Sequence, residues 1–247
     1  TILDSIQRTL QYNFIDRFAR RRCRTAMSTW ILFDLDGTLT DSGEGVMKSV
    51  RYALDRMGFP NEPESALRRF IGPPLHQSFI DFYGFSKEKA FEAVETMRER
   101  YREKGVYENH MLPGMKEMLA KLRAAGAKLC VATSKPLHFT EIILRQHGVD
   151  GLFTHVVGAN LDGTMTDKTE VIREVLRRIG DAPGEKIFMV GDRKFDMIGA
   201  NNCGIPGVGV YFGYAEPGEL EAAGAQYIAR DVPALERILL SLCEGEQ

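Results

Sequence analysis

The sequence predicts an α/β fold, a doubly wound and mostly parallel sheet with a small α-helical domain inserted into it, on three observations. Short apolar runs alternate with segments of helical period, which is the pattern of strands joined by crossover helices. Several of those runs end in an acid, a hydroxyl or a glycine, as the carboxyl ends of ligand-binding strands do. One stretch, residues 43–112, breaks the alternation with helical periodicity alone. The predicted strands are Trp30–Asp34, Lys128–Thr133, His155–Val157, Ile187–Val190, Val208–Tyr211 and Gln226–Ile228. Each is brief and nearly all apolar, as strands covered on both faces are.

The helices carry their own punctuation. Pro113-Gly114 opens one whose buried face is Met115, Met118, Leu119 and Leu122, and Gly126 ends it. Asp167 can cap another, with Glu170 three residues on and Val171, Ile172, Val175, Leu176 and Ile179 following before Gly180. Asp231-Val232-Pro233 precedes a last helix with Leu235, Ile238, Leu239 and Leu242. In the interruption, Val46/Met47, Val50, Leu54 and Met57 repeat at helical spacing, as do Phe91, Val94, Met97 and Tyr101. An insert of roughly seventy residues is far longer than an ordinary crossover. It predicts a helical cap, residues 43–112, over a core made of 27–42 and 113–247, with hinges near Ser42–Glu44 and His110–Gly114.

Composition narrows the function classes. The chain has 247 residues, 44% of them hydrophobic, enough to bury a substantial core. Lys plus Arg, 32, nearly balances Asp plus Glu, 34, so no nucleic-acid polymer is expected as a partner. No run of 18 apolar residues predicts a membrane span. Cys23, Cys130, Cys203 and Cys243 are far apart and form no CxxC, which points to free thiols in a reducing compartment, the cytoplasm. Residues 1–26 differ from the rest: six arginines face Asp4 and Asp16, and Ile2/Leu3, Ile6, Leu10, Phe14 and Phe18 form a helical stripe. This basic extension reads as a targeting or membrane-surface helix, as a segment docking on the domain or on a second copy in a homodimer, or as an upstream piece outside the domain.

The chemistry begins at "ILFDLDGTLTDS". Asp34 and Asp36 lie two apart at a strand end, so both can face one point, and Gly37 lets the chain turn there. Carboxylates so close repel unless a proton or cation intervenes, and a hard ion with oxygen ligands, Mg²⁺ foremost, resolves the repulsion. Taken singly, the motif is also a common Asp-Gly turn. Asp162 in "LDGT" lacks the first acid and the strand and reads as such a turn. Three further termini add to the first. "LCVATSKP" offers Thr133 and Ser134, whose hydroxyls and N–H groups suit phosphate oxygens. Lys168 follows Asp167 with a fixed positive charge, and "IFMVGDRKFDMIGA" places Asp192 and Asp196 four residues apart, on one side of a helical turn. Each has a bland explanation as a cap or a solvated side chain; together they supply acid, hydroxyl, amine and acid in order.

In that order, "FDLDGTLTDS", "VATSKP", "DKTEVI" and "VGDRKFDMIGA" resemble the motifs of the haloacid dehalogenase superfamily, over about residues 27–240. The arrangement is most similar to the phosphoglycolate phosphatase and 5′-nucleotidase-like branch with a helical cap. The resemblance implies a Rossmann-like core and a Mg²⁺-dependent phosphatase acting on a small phosphorylated metabolite through an aspartyl-phosphate. It implies Asp34 as nucleophile and metal ligand, and Asp36 as acid/base that also touches the metal through its carbonyl. Gly37, Thr133, Ser134 and Lys168 would hold phosphate, Asp192 the metal, and Asp196 would support the metal shell. Arg193 stands where many relatives have a small residue; it would turn outward or salt-bridge the cap.

"RRFIGPPLHQSF" interrupts the cap helices, and Gly72, Pro73, His76 and Gln77 are candidates for substrate selection, a solvated helix-breaking turn being the alternative. His110, His138, His147 and His155 read as surface or packing residues, and "GVGVYFG" is no dinucleotide motif. Two other functions fit the same motifs: a sugar-phosphate mutase of the superfamily, and a non-catalytic phosphate-responsive module.

Overall fold

Thr29–Phe33 is buried at all five residues, and its neighbours explain why an apolar strand of that length forms here. Ile31 and Phe33 point into one hydrophobic layer while Trp30 and Leu32 point into another, so both faces of the strand are covered. The computed structural model describes residues 29–244; the basic extension expected over residues 1–26 lies outside the described residues.

In chain order the elements are β1 (Thr29–Phe33), β2 (Thr40–Asp41), α1 (Gly43–Arg56), α2 (Glu64–Arg68), α3 (Leu75–Tyr83), α4 (Lys87–Glu103), β3 (His110–Met111), α5 (Met115–Ala124), β4 (Lys128–Pro136), α6 (Leu137–Gln146), β5 (Phe153–Ala159), α7 (Lys168–Ile179), β6 (Lys186–Gly191), α8 (Lys194–Asn202), β7 (Gly207–Val210), α9 (Glu219–Ala222), β8 (Tyr227–Ala229) and α10 (Val232–Glu244). Six strands form one sheet in the order β5-β4-β1-β6-β7-β8, and every pairing in it is parallel. The chain first builds outward from β1 through β4 to β5, then crosses to β6 on the other side of β1. That reversal makes the carboxyl end of β1 a switch point, the place where open α/β sheets leave a crevice.

The fold class is the one the sequence predicts, a Rossmann-like α/β core. All six predicted strands are present, with shifted ends. Asp34 is the first residue beyond β1, its N–H still donating to Val190 O at 2.9 Å. β4 runs on past Thr133 to Pro136 with an irregular register against β5. α7 starts where expected, because Asp167 accepts from the N–H groups of Thr169 and Glu170.

Residues 43–112 are mainly helical, in α1 to α4, as the periodicity predicts, but the segment is not free of strand. Thr40 pairs with Met111 and Asp41 with His110 in an antiparallel ribbon, so the residues just before the first expected hinge are joined to the start of the second. A two-residue strand carries too little alternation to be read from sequence. Within the segment Phe70 packs on Phe79 and Phe82 at centroid distances of 4.8 and 5.3 Å, and Phe59, Tyr83 and Phe85 extend the aromatic cluster. No helix among the described residues is long and apolar enough to cross a membrane.

Candidate active site

The strand ends bring the four sequence motifs to one place. Asp34 leaves β1, Asp192 leaves β6, Asp196 sits in the first turn of α8, and Lys168 begins α7. All four are buried, and one carboxylate oxygen from each of Asp34, Asp192 and Asp196 falls within 4.8 Å of the others. Lys168 Nζ lies 2.9 Å from Asp34 Oδ1 and 2.8 Å from Asp196 Oδ1, and donates to Ala132 O at 3.1 Å. Asp192 and Asp196 converge by a route other than one helical face. Asp192 belongs to the strand-end turn, and Asp196 folds back so that its Oδ2 accepts from Arg193 N at 3.1 Å.

Three carboxylates thus face one ammonium in a buried site. Burial penalises the charge on Lys168, but Asp196 and Asp34 outweigh it and hold its pKa above the ordinary lysine value. Burial, with repulsion from Asp196 and Asp34, pushes the Asp192 carboxyl well above the usual range, although Tyr214 N donates to it at 2.8 Å. Thr38 Oγ1 donates to its other oxygen at 3.2 Å. A further cation would relieve this crowding. The donors are all carboxylate oxygens, which suit a hard divalent ion such as Mg²⁺, and the residues therefore fit the metal the motifs imply.

Gly37 is demanded by the same geometry. Its φ is +77°, and a Cβ on it would lie 2.1 Å from Asp192 Oδ2. Only glycine lets the turn after Asp36 pass so close to that carboxylate.

Asp36 faces the neighbouring cavity. Lys135 Nζ binds Asp36 Oδ2 at 2.6 Å, while Asp36 Oδ1 is buried with no hydrogen-bond partner among the described residues. Burial opposes the Lys135 charge as well, and Asp36 and Tyr101 more than offset it, keeping the ammonium's pKa raised. Lys135 is the site residue the sequence reading passed over, although it stands in the quoted "VATSKP". Thr133 and Ser134 line the same cavity as Asp34 and Asp36, and Thr133 Oγ1 accepts from Lys135 N at 3.2 Å.

The cavity's other wall comes from the helical segment. Gly72, Pro73 and His76 line it; Gln77 does not, being exposed and bonded to Asp81 at 2.6 Å. The helix begins at Leu75, and successive residues on it point in different directions, so His76 turns inward and Gln77 outward. Arg193 takes a position between the layers: Nη1 donates to Ile71 O at 2.8 Å and Nε to Glu219 Oε1 at 2.9 Å. Of its two expected placements, the one toward the helical segment is closer, but the bond goes to a backbone carbonyl and the ion pair to α9. Buried Arg98 makes a second tie, from α4 to Leu161 O at 2.7 Å. Asp162 is the turn residue it resembles, accepting from Thr164 N at 2.9 Å. His147 bonds Asn109 at 2.6 Å and His155 stacks on Trp30, both outside this cavity.

Known proteins resemble this chain over most of its length. A family model described as haloacid dehalogenase-like hydrolase matches residues 31–210. A 5′-nucleotidase of Pseudomonas aeruginosa is 44% identical over 211 residues, covering 85% of this chain and 95% of that protein. A phosphoglycolate phosphatase of Vibrio vulnificus is 30% identical over 218 residues, covering 85% and 95% respectively. Among solved structures, that of Mycobacterium tuberculosis protein tyrosine kinase A is similar with a TM-score of 0.75 and 34% identity, covering 86% of this chain and 98% of that one.

Proposed function

Because the chain belongs to the haloacid dehalogenase-like hydrolase family, we propose that it is a Mg²⁺-dependent phosphatase of small phosphate monoesters, such as 2-phosphoglycolate or a nucleoside 5′-monophosphate. One observation carries the reading: Asp34, Asp192, Asp196 and Lys168, from four separate elements, meet at the switch point of the sheet.

The chemistry follows from those positions. A phosphate monoester dianion repels nucleophiles, so its charge must be neutralised before attack. Asp34, Asp192 and the Asp36 carbonyl would hold the ion, with Asp196 in support, and when bound it would draw charge from the phosphoryl oxygens. Lys168 binds a phosphoryl oxygen and keeps Asp34 in place, and Thr133, the Ser134 N–H and the turn at Gly37 take the others. Asp34 attacks phosphorus in line, the phosphorus–ester bond breaks, and Asp36 gives its proton to the departing oxygen. Asp36 then removes a proton from water, whose oxygen attacks the aspartyl-phosphate and frees inorganic phosphate and Asp34. Residues 27–42 and 113–247 form the catalytic core in this reading and 43–112 the cap that covers it. The wide spacing of the four cysteines, with no CxxC, is what supports a reducing compartment, the cytoplasm.

The test is release of inorganic phosphate from a panel of phosphate esters, with and without Mg²⁺. Wild-type protein should require the ion, and Asp34→Asn should lower turnover by at least roughly a thousandfold. A sugar phosphate isomerised without phosphate release would make the protein a mutase instead, and absence of turnover on every ester would reduce it to a phosphate-responsive module.

A further inference from the structure

The cavity above Asp34 and Asp36 contains a polar group that no step of the proposed reaction uses. Tyr101, near the end of α4, is 3% exposed and lines that cavity. Its hydroxyl has no well-formed hydrogen bond among the described residues, although buried polar groups normally find one. Lys135 stands beside it, Nζ lying 5.0 Å from the ring centroid, and an ammonium only donates. Toward Lys135 the tyrosine oxygen can therefore act only as acceptor. Its own proton needs an acceptor elsewhere, and the cavity is where a ligand would supply one.

The other polar groups sharpen the identity of that ligand. Arg98 lines the cavity and is a donor only; Glu95 and Leu161 O take its Nη1. His76 Nε2 is buried without a partner among the described residues, and burial reinforced by Arg98 keeps its pKa below the ordinary value, so the ring is neutral at pH 7. Val46, Phe70, Met97 and Phe139 make the rest of the wall largely apolar. The cavity measures about 90 Å³, well below the roughly 300–1,000 Å³ of pockets for drug-sized ligands. A nucleoside is of that larger class; a leaving group of two or three carbons is not.

We propose that Tyr101 is a specificity residue that reads the leaving group, its hydroxyl donating to the carboxylate of a small phosphoryloxy acid whose ester carbon bears that carboxylate. Lys135 flanks the same carboxylate with positive charge, and the apolar wall covers the carbon stem. The inference rests on the phosphatase reading and narrows it to a substrate class.

The test compares kcat/KM for 2-phosphoglycolate, ethyl phosphate and 5′-AMP in wild-type protein and in Tyr101→Phe. Wild type should favour 2-phosphoglycolate over both other esters. The variant should lose roughly ten- to a hundredfold on 2-phosphoglycolate, chiefly through KM, and its preference over ethyl phosphate should narrow by a similar factor. Inhibition by inorganic phosphate should keep the same constant in both proteins, since the phosphoryl site is untouched. Equal losses on both small esters, or a wild-type preference for 5′-AMP or ethyl phosphate, would overturn the proposal while leaving the phosphatase reading in place. The wild-type preference decides even where the variant folds poorly. No phosphate from any ester would sink both.

Discussion

A single methyl group at residue 37 would collide with the buried Asp192 carboxylate. The distance of 2.1 Å from an added Cβ to Asp192 Oδ2, together with φ of +77°, leaves no conformation in which both survive unchanged. Gly37→Ala should lower unfolding free energy by more than about 1 kcal/mol, measured in urea, and should depress phosphatase activity further than that loss explains. Legibility at this scale depended on chemical type. Asp34, Asp36, Lys168 and Asp192 could be read because acids and an amine are conspicuous at the ends of apolar runs. Lys135 was hidden, since a lysine after "TS" looks solvated; only the meeting of β4 with the Asp36 turn buries it, 7% exposed, against that carboxylate. Gln77 misled for the opposite reason, because sequence gives no helix rotation over a start so short.

Arg193 ties elements together. One guanidinium reaches Ile71 O in the helical segment and Glu219 in α9, while Glu219 also accepts from Lys194 N at 2.8 Å. Replacing Arg193 by alanine should therefore cost about 1–3 kcal/mol of stability and expose the chain around Ile71 to limited proteolysis. Lysine should restore little, since an ammonium lacks the planar fork that serves a carbonyl and a carboxylate at once. An unchanged cleavage pattern in Arg193→Ala would show that the segment is held without this bridge. Helices were legible as elements because α1, α4 and α7 each carry several turns of apolar repeat and α7 a capping acid. The ribbon of Thr40–Asp41 with His110–Met111 was not, for its partners are remote in sequence and neither alternates long enough to register.

Across the whole molecule, the proposed metal site ties stability to pH. Asp192 is held above its ordinary pKa, so the native state keeps a proton that the unfolded chain releases near pH 4. Its contribution to stability is therefore lost as pH rises from that range toward the raised folded value. Without metal at pH 7, Asp192→Asn should be more stable than wild type, because the amide carries no charge to bury or to repel Asp34 and Asp196. Mg²⁺ should raise the unfolding temperature of wild type and not of the variant, and its effect should weaken as pH falls and protons compete for the site. Calorimetry across pH with and without the ion checks both; a variant that Mg²⁺ still stabilises would remove Asp192 from the metal site. The strand order was beyond the sequence, because which strand lies beside β1 depends on crossovers that local pattern does not encode. Parallel crossover helices nonetheless confined the answer to a few arrangements. The ribbon has one more consequence. Chain leaving the α/β layer through Thr40–Asp41 and returning through His110–Met111 passes along facing strands of a single ladder. A tight reverse turn bridges such a gap unaided. The two junctions of the helical segment are thus bonded neighbours, so the chain enters and leaves it through a single two-rung doorway.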